Sequence, residues 1–420
     1  MPENVIYYGP PGTGKTYLLQ SMMSDYIDYS VTDTQIRSAY VQYTQDWIPI
    51  ALLLLQNHGR MRSTDLQARI DALKLGKHIN VNSVLEAHNM DVSILGVKRT
   101  PPCVFFECEG NTWYVNRIRI QQDVPDFFSR FLHDSAIDQR YSFVTFHQSF
   151  SYEDFIEGIR PEYVSSTNSI DYSPKPGVFK ALCCEAEKHP EKEYAVFIDE
   201  INRGNISEIF GELISLIELD KRQGMANELS ATLPYSKERF VVPSNVSIFG
   251  TMNSADRSVG AIDIALRRRF KFIPMTPDSS IIANELKMNG LDPENVDGIN
   301  VIRLFDTMNS RIELLLDRNH MLGQALFMSV RNGADLINVM RDRIVPLLEE
   351  YFFSDLQKVQ LVLGDLDEAG DLKENPIYIH NILSVTEYLE YTGDYILDDK
   401  KHYFVNPNMN LGSIRHVYSR

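Results

Sequence analysis

The chain has 420 residues, of which 44% are hydrophobic, and a formal net charge of −16. This length and composition predict two or three domains with substantial cores. The negative charge argues against a protein that coats nucleic acid with its whole surface, because such binding needs clustered Lys and Arg. No apolar run is long enough to span a membrane. We therefore expect a cytoplasmic protein without a membrane partner.

The first motif directly follows an apolar run at residues 5–8. It fits the phosphate-binding loop pattern G-x-x-x-x-G-K-[ST] with the residues Gly9, Pro10, Pro11, Gly12, Thr13, Gly14, Lys15 and Thr16. The glycines let consecutive backbone N–H groups surround phosphate oxygens, and a helix predicted at residues 17–23 adds its positive end. We expect Lys15 to reach the outer phosphates and Thr16 to bind Mg²⁺. The sequence therefore predicts a nucleoside triphosphate site.

Two further apolar runs end in polar side chains that suit nucleotide hydrolysis. Residues 194–198 are followed by Asp199 and Glu200. Asp199 would hold Mg²⁺ directly or through water, and Glu200 would polarise the water that attacks the terminal phosphate. Residues 246–250 lead to Asn253, which can hold that water between the two acidic loops. These positions predict a hydrolytic site.

Three consecutive arginines at residues 267–269 end a helix predicted from about residue 260. Such a cluster exceeds what the dipole at a helix C-terminus requires. One of these side chains could stabilise the transferring phosphoryl group of a neighbouring subunit as an arginine finger. That role requires a head-to-tail ring.

Residues 31–139 separate the phosphate loop from the next predicted core strand at residues 141–147. This segment is nearly neutral, with 11 Lys and Arg against 12 Asp and Glu. We predict helices over residues 41–57, 63–74 and 81–90, and a hairpin formed by residues 103–109 and 112–116. This order resembles a winged helix-turn-helix module.

Basic residues surround the second predicted helix of this insert. The possible contacts with DNA phosphates are Arg60, Arg62, Arg69, Lys74 and Lys77. A solvated face on a protein-docking module is an equally good interpretation, because the overall charge of the segment is near zero.

Together the motifs resemble those of the McrB family, the AAA+ motor subunits of McrBC-type restriction systems. The segments that carry the resemblance are GPPGTGKT (9–16), FHQSFSYEDFIEG (146–158), FIDEINRGN (197–205), MNSADRS (252–258), ALRRRF (265–270) and IVPLLEEYFF (344–353). The resemblance implies an α/β fold, an AAA+ P-loop NTPase with a parallel sheet core and a C-terminal helical lid. The winged-helix-like module is inserted between the first two core strands.

The implied domains have the following boundaries. The nucleotide-binding core comprises residues 1–30 and 140–280, and the inserted module comprises residues 31–139. The helical lid comprises residues 281–370. Residues 371–420 form a C-terminal extension to which we attach no role.

The resemblance also implies a function. Family members hydrolyse GTP rather than ATP, assemble into hexameric rings and act with a McrC-like nuclease that cuts DNA. We therefore expect a GTP- and Mg²⁺-dependent motor that moves or remodels DNA in defence against foreign DNA, with DNA bound through the insert or through a partner. We find no nuclease site in the chain itself.

Residue roles follow from the same resemblance. Asn202 joins Glu200 in organising the catalytic water, and Asn253 is the sensor. Asp256 and Arg257 lie in the signature loop.

Among the three arginines, we favour Arg268 and Arg269 as the residues that act on the neighbouring subunit.

Two other functions fit the motifs. The chain could be an ATP-driven protein remodeller whose insert grips a polypeptide. It could also be a nucleotide-gated module that binds DNA or a partner and hydrolyses nucleotide slowly, as a switch.

Overall fold

The computed structural model describes residues 2–57, 59–90, 99–108, 110–132, 137–164, 169–256, 264–388 and 398–419. The strands of this part of the chain are β1 (Asn4–Gly9), β2 (Ile27–Tyr29), β3 (Arg60–Arg62), β4 (Phe105–Cys108), β5 (Thr112–Val115), β6 (Ile137–Gln139), β7 (Tyr141–Thr145), β8 (Glu157–Val164), β9 (Ser169–Pro176), β10 (Tyr194–Asp199), β11 (Ala231–Thr232), β12 (Arg239–Phe240), β13 (Val246–Asn253), β14 (Lys271–Pro274), β15 (Tyr378–Leu383) and β16 (Lys400–Val405).

The α-helices of the described residues are α1 (Lys15–Met23), α2 (Asp33–Tyr43), α3 (Trp47–Gln56), α4 (Ser63–Leu73), α5 (Val81–Ala87), α6 (Arg117–Asp123), α7 (Phe127–Phe131), α8 (Tyr152–Phe155), α9 (Val178–Lys188), α10 (Ile206–Phe210), α11 (Leu213–Leu216), α12 (Ile264–Arg267), α13 (Ser279–Met288), α14 (Val301–Leu315), α15 (Gly333–Val339), α16 (Val345–Tyr351), α17 (Gln357–Leu363), α18 (Val385–Tyr388) and α19 (Leu411–His416). None of them has both the length and the apolar content needed to cross a bilayer.

The chain divides into two compact units. The first comprises Met1–Tyr8 with Lys15–Pro274, and the second comprises Gly9–Gly14 with Met275–Arg420.

A five-stranded parallel sheet forms the centre of the first unit, with the strand order β14-β1-β13-β10-β7. Alternate residues of its strands enter two hydrophobic clusters. Ile6 and Val196 belong to one cluster, whereas Val5 and Phe197 belong to the other. Strands buried on both faces read as continuous apolar runs, which is why three of them were recognisable in the sequence. The parallel sheet confirms the predicted α/β core, and it brings the carboxyl ends of β1, β10 and β13 to one edge.

The helix predicted at residues 41–57 is wrong, because two helices occupy this region. Helix α2 is followed directly by Thr44, which has a left-handed φ of 52° and whose N–H donates to Tyr40 O at 2.8 Å. Helix α3 then begins at Trp47, and its residues from Trp47 to Leu55 are all buried. The long apolar run therefore reflects a helix packed on all sides.

The elements after α2 follow the order helix, strand, helix, helix and hairpin. Strand β3 pairs antiparallel with β5, and β5 pairs antiparallel with β4. Gly110 and Asn111, in the three-residue connection between β4 and β5, both have positive φ, as is common in tight hairpin turns. Strands β2 and β6 pair antiparallel, which brings the two ends of the segment together.

Strands β8 and β9 form a two-stranded hairpin with an exposed apolar face. Cross-strand pairs on this face join Ile159 to Pro174 and Tyr163 to Ile170. Ile159, Tyr163, Ile170 and Tyr172 are between 53% and 67% exposed. Contiguous apolar surface of this kind is unusual on a monomeric protein and marks interaction sites.

A buried carboxylate anchors the base of this hairpin. Glu157 accepts hydrogen bonds from Lys180 Nζ at 2.8 Å, Tyr235 N at 3.0 Å and Ser236 N at 2.9 Å. Lys180 also contacts Glu238 at 2.7 Å. A buried charge is tolerated when paired and hydrogen-bonded in this way. Hairpin β8–β9 is thereby joined to α9 and to the turn between β11 and β12.

The second unit packs helices α13 to α17 around one hydrophobic cluster. Residues beyond position 371, including Ile377, Tyr378, Ile414 and Val417, belong to the same cluster. Strands β15 and β16 pair antiparallel. The C-terminal residues that the structure describes thus share their core with the helices that precede them.

Candidate nucleotide site

The phosphate loop follows β1 and has the backbone expected of an anion-binding turn. Gly12 and Gly14 have φ values of 76° and 86°, a region that side chains other than glycine rarely adopt. Thr13 Oγ1 donates to Pro10 O at 3.0 Å. Helix α1 begins at Lys15, so its N-terminal N–H groups continue the donors of the loop.

Asp199, at the end of β10, is the meeting point of two hydroxyl groups. Thr16 Oγ1 lies 3.1 and 3.2 Å from its two carboxylate oxygens. Thr251 Oγ1 also donates to Asp199, and it accepts the N–H of Glu200 at 3.1 Å. A hydroxyl beside a carboxylate is the kind of oxygen ligand set that suits Mg²⁺. Thr16 and Asp199 would hold the ion, which when bound would offset negative charge on the phosphates.

Glu200 has an unusual backbone and a perturbed carboxyl group. Its φ is 53°, a left-handed value that is uncommon for a residue other than glycine and is often found at functional sites. Burial raises the pKa of Glu200, and the nearby Asp199 and Asp256 raise it further, whereas Arg203 and Lys15 oppose this shift. A raised pKa brings the carboxylate closer to the basicity that a general base needs near neutral pH.

Asn202 and Asn253 lie together. Asn202 Nδ2 donates to Asn253 O at 3.2 Å. Asn202 is 7% exposed, and within the described residues its Oδ1 has no hydrogen-bond partner. The side chain of Asn253 accepts from Ala255 N at 3.2 Å. The site therefore contains a buried acceptor that a water molecule could satisfy.

Lys15 is buried beside these acids. Burial lowers its pKa to about 8, although Glu200, Asp199 and Asp256 all act to raise it. The fold thus holds the lysine in a poorly solvated position that favours an anionic ligand.

Comparison with known proteins gives two domain matches. The helical lid domain of McrB matches residues 300–360, and the AAA domain of the dynein-related subfamily matches residues 128–270. The Type IV methyl-directed restriction enzyme EcoKMcrB subunit of Escherichia coli (strain K12) is 40% identical over 245 residues, covering 54% of this chain and 51% of that protein. These matches confirm the AAA+ fold predicted from the motifs and support the McrB-family resemblance.

A second similar protein is the Type II restriction enzyme BsuMI component YdiS of Bacillus subtilis (strain 168). It is 29% identical over 159 residues, covering 31% of this chain and 46% of that protein. The chain spans about half the length of both curated relatives.

The three arginines at the C-terminal end of α12 have different surroundings. The side chain of Arg269 is 10% exposed and pairs with Glu218 at 2.9 Å. The guanidinium of Arg267 lies 5.9 Å from the centre of the Phe272 ring. Arg268 is exposed. Arg257 lies outside the described residues.

The five basic residues predicted for DNA contact are all exposed. Arg69 pairs with Asp33 at 3.0 Å, and Lys77 pairs with Asp46 at 2.9 Å. These two side chains are already partly neutralised by acids of the same insert.

The sequence interpretation missed two residues of the candidate site. Arg203 bridges Glu200 and Asp256, with distances of 3.2 Å to each. Thr251 orients both Asp199 and Glu200 through one hydroxyl. Both lie close to a residue that the sequence analysis recognised. Arg203 directly follows Asn202, and Thr251 lies two residues before Asn253. Their positions within the motifs were therefore the signal that could have identified them.

The environment of Lys15 predicts how nucleotide affinity changes with pH. Below the pKa of about 8 the ammonium group is already charged, so this group adds no pH dependence. Above that pH the free protein must take up a proton to bind phosphates, and affinity should fall towards a limit of about tenfold per pH unit. Calorimetric titration with a non-hydrolysable nucleotide, in buffers of different ionisation enthalpy, measures affinity and proton uptake together.

The control is Lys15→Arg, whose guanidinium stays charged throughout this range. The variant should bind with an affinity that hardly changes with pH above 8. An unchanged slope would assign the dependence to another group.

Proposed function

We propose that the chain is a ring-forming nucleoside triphosphatase that hydrolyses GTP in preference to ATP. In this proposal it drives the movement or remodelling of DNA for a McrC-like nuclease in defence against foreign DNA. The observation that carries the hydrolytic part is the convergence of Thr16, Asp199 and Glu200 at the carboxyl edge of the sheet. The restriction role is supported by the two similar proteins, both of which are named as parts of restriction enzymes.

In this mechanism each side chain has a defined task. Lys15 binds the outer phosphates, and Glu200 accepts a proton from the attacking water or orients it. Asn202 Oδ1 accepts a hydrogen bond from the same water. Arg203 holds Glu200 through a 3.2 Å ion pair and keeps its pKa from rising further.

Hydrolysis of GTP and ATP by the purified chain, measured side by side, tests the proposed base preference. Support for GTP comes from the family likeness. We expect faster turnover of GTP, with a further gain when the nuclease partner is added. Faster turnover of ATP would instead favour a protein remodeller, an alternative supported by the exposed apolar face of hairpin β8–β9.

The same assay tests the role of Glu200. Glu200→Gln should leave nucleotide binding intact and lower turnover by a factor of about 10² or more, because the amide cannot take a proton. Lys15→Ala is the comparison, since it should abolish binding itself. Normal turnover by Glu200→Gln would show that another group is the base.

The proposed ring places an arginine of one subunit at the nucleotide of the next. Arg268 is the better of the two favoured residues, because Arg269 is held by Glu218 within its own chain. The exposed apolar face of hairpin β8–β9 also supports assembly with further polypeptides.

Mixing two inactive variants tests this arrangement. Arg268→Ala and Lys15→Ala should each be inactive, with losses of about 10³-fold or more for the arginine. Mixed subunits should regain part of the activity, because some interfaces combine an intact Lys15 with an intact Arg268. Arg267→Ala is the control and should stay active alone. Without recovery on mixing, the arginine does not act between subunits.

DNA binding by the insert is supported by its topology and by its exposed basic residues. The order of its elements and the pairing of β3 with the hairpin fit a winged-helix-like module. Since Arg69 and Lys77 have acidic partners, we assign phosphate contacts chiefly to Arg60, Arg62 and Lys74.

A charge-reversal experiment on the full chain tests this assignment. The double variant Arg62→Glu/Lys74→Glu should weaken duplex DNA binding and reduce the slope of log affinity against log salt by about 2. Arg341→Glu, on an exposed arginine outside the insert that pairs with Asp342, should leave the slope unchanged. Equal slopes in all three proteins would indicate that the insert docks protein instead.

A further inference from the structure

Within the second unit, a segment between α14 and α15 lies directly against the phosphate loop. Gln324 Nε2 donates to Thr13 O at 2.9 Å. Ala325 N donates to Gly12 O at 3.0 Å. The two acceptors are consecutive carbonyl groups of the loop, so both of these peptide groups are held by residues 323–325.

These hydrogen bonds fix the direction of the opposite ends of the same peptide groups. In a trans peptide the C=O and the following N–H point in opposite directions. The carbonyl of Gly12 points towards Ala325, and the carbonyl of Thr13 points towards Gln324. The N–H groups of Thr13 and Gly14 therefore face away from that segment. Consecutive N–H groups presented together in this way form an anion-binding nest.

The fit leaves no space for a side chain at Gly323. A Cβ atom built there would lie 2.1 Å from Gly12 C and 2.4 Å from Pro11 O. The segment therefore touches the backbone of the loop directly, and it determines where that backbone can lie.

The segment is itself held firmly. Leu322 N donates to Asn309 Oδ1 at 2.6 Å, and Asn309 Nδ2 donates to Leu322 O at 3.1 Å, which fastens it to α14. Gln324 is 5% exposed, and its Oε1 accepts from Asp278 N at 3.4 Å. A buried amide held at both ends is a stiff support for the loop.

We propose that Gln324 is a positioning residue that holds the phosphate loop in its anion-binding conformation before nucleotide arrives. The inference rests on the proposed nucleotide site, and it adds that the affinity of that site depends on the helical lid. Because the support acts on the loop and not on the reacting atoms, its loss raises KM and leaves kcat nearly unchanged.

The test compares two glutamines of the same unit. Gln324→Met keeps the length of the side chain but removes the donor to Thr13 O. Gln360→Met is the matched control, because Gln360 is fully buried and its Nε2 donates to Tyr378 O at 3.0 Å. Both variants lose one buried hydrogen bond to a backbone carbonyl, but only one of these carbonyls belongs to the loop.

Two measurements on the full chain decide the outcome. Hydrogen exchange of residues 9–16 without nucleotide should rise in Gln324→Met and not in Gln360→Met. The Kd for a non-hydrolysable nucleotide, and for inorganic tripolyphosphate, should rise roughly tenfold in Gln324→Met, as for the loss of one buried hydrogen bond. Gln360→Met should lower the thermal midpoint while changing Kd by less than about twofold.

Equal effects of the two variants on Kd, or unchanged loop exchange in Gln324→Met, would overturn the positioning role. A second variant, Gly323→Ala, should also weaken binding, because its Cβ would displace the segment from Gly12. The exchange measurement needs no ligand, so it separates this inference from the proposed function. If the loop exchanged hydrogen slowly in a chain that bound neither the nucleotide nor tripolyphosphate, the proposed nucleotide site would be rejected. The predicted effect of Gln324 on affinity would then be rejected with it.

Discussion

One hydroxyl group determines the orientation of both acidic residues at the candidate site. Thr251 Oγ1 donates to Asp199 and accepts the N–H of Glu200 at 3.1 Å. The left-handed backbone of Glu200 costs free energy, and this hydrogen bond helps to hold it. Thr16, in the first turn of α1, joins the arrangement through its contact with Asp199. Side chains thereby link the carboxyl ends of β10 and β13 to the start of α1.

The pKa of Lys15 is set by burial as well as by the neighbouring acids. Asp199, Glu200 and Asp256 all act on Lys15, yet burial outweighs them and lowers the pKa of the lysine to about 8. Arg203 contacts two of these acids, Glu200 and Asp256, and so limits their mutual repulsion. Phosphate groups would supply the negative charge that stabilises a protonated Lys15, which couples nucleotide binding to proton uptake.

The sequence predicted the parts of the fold that obey local rules. Apolar strands ending in Asp199 and Asn253 were recognisable because parallel strands bury both faces and place their ends at one edge. The break between α2 and α3 at Thr44 was not recognisable, because the sequence carries no local signal for a left-handed threonine. Gln324 could not be assigned a role because its partner, Thr13, is 311 residues away in the chain. Roles that depend on long-range contacts therefore required the structure.

The exposed hairpin is connected to the hydrolytic strands through Glu157. A buried carboxylate is stable here because Lys180 and two backbone N–H groups compensate for the loss of water. Lys180 lies on α9, which leads into β10, and Ser236 lies in the turn that leads through β12 to β13. A flexible loop would let the hairpin move independently of these strands. Here the anchored hairpin is connected instead, through short structured segments, to the strands that carry Asp199 and Asn253. A polypeptide bound to its apolar face would therefore act on a rigid part of the core.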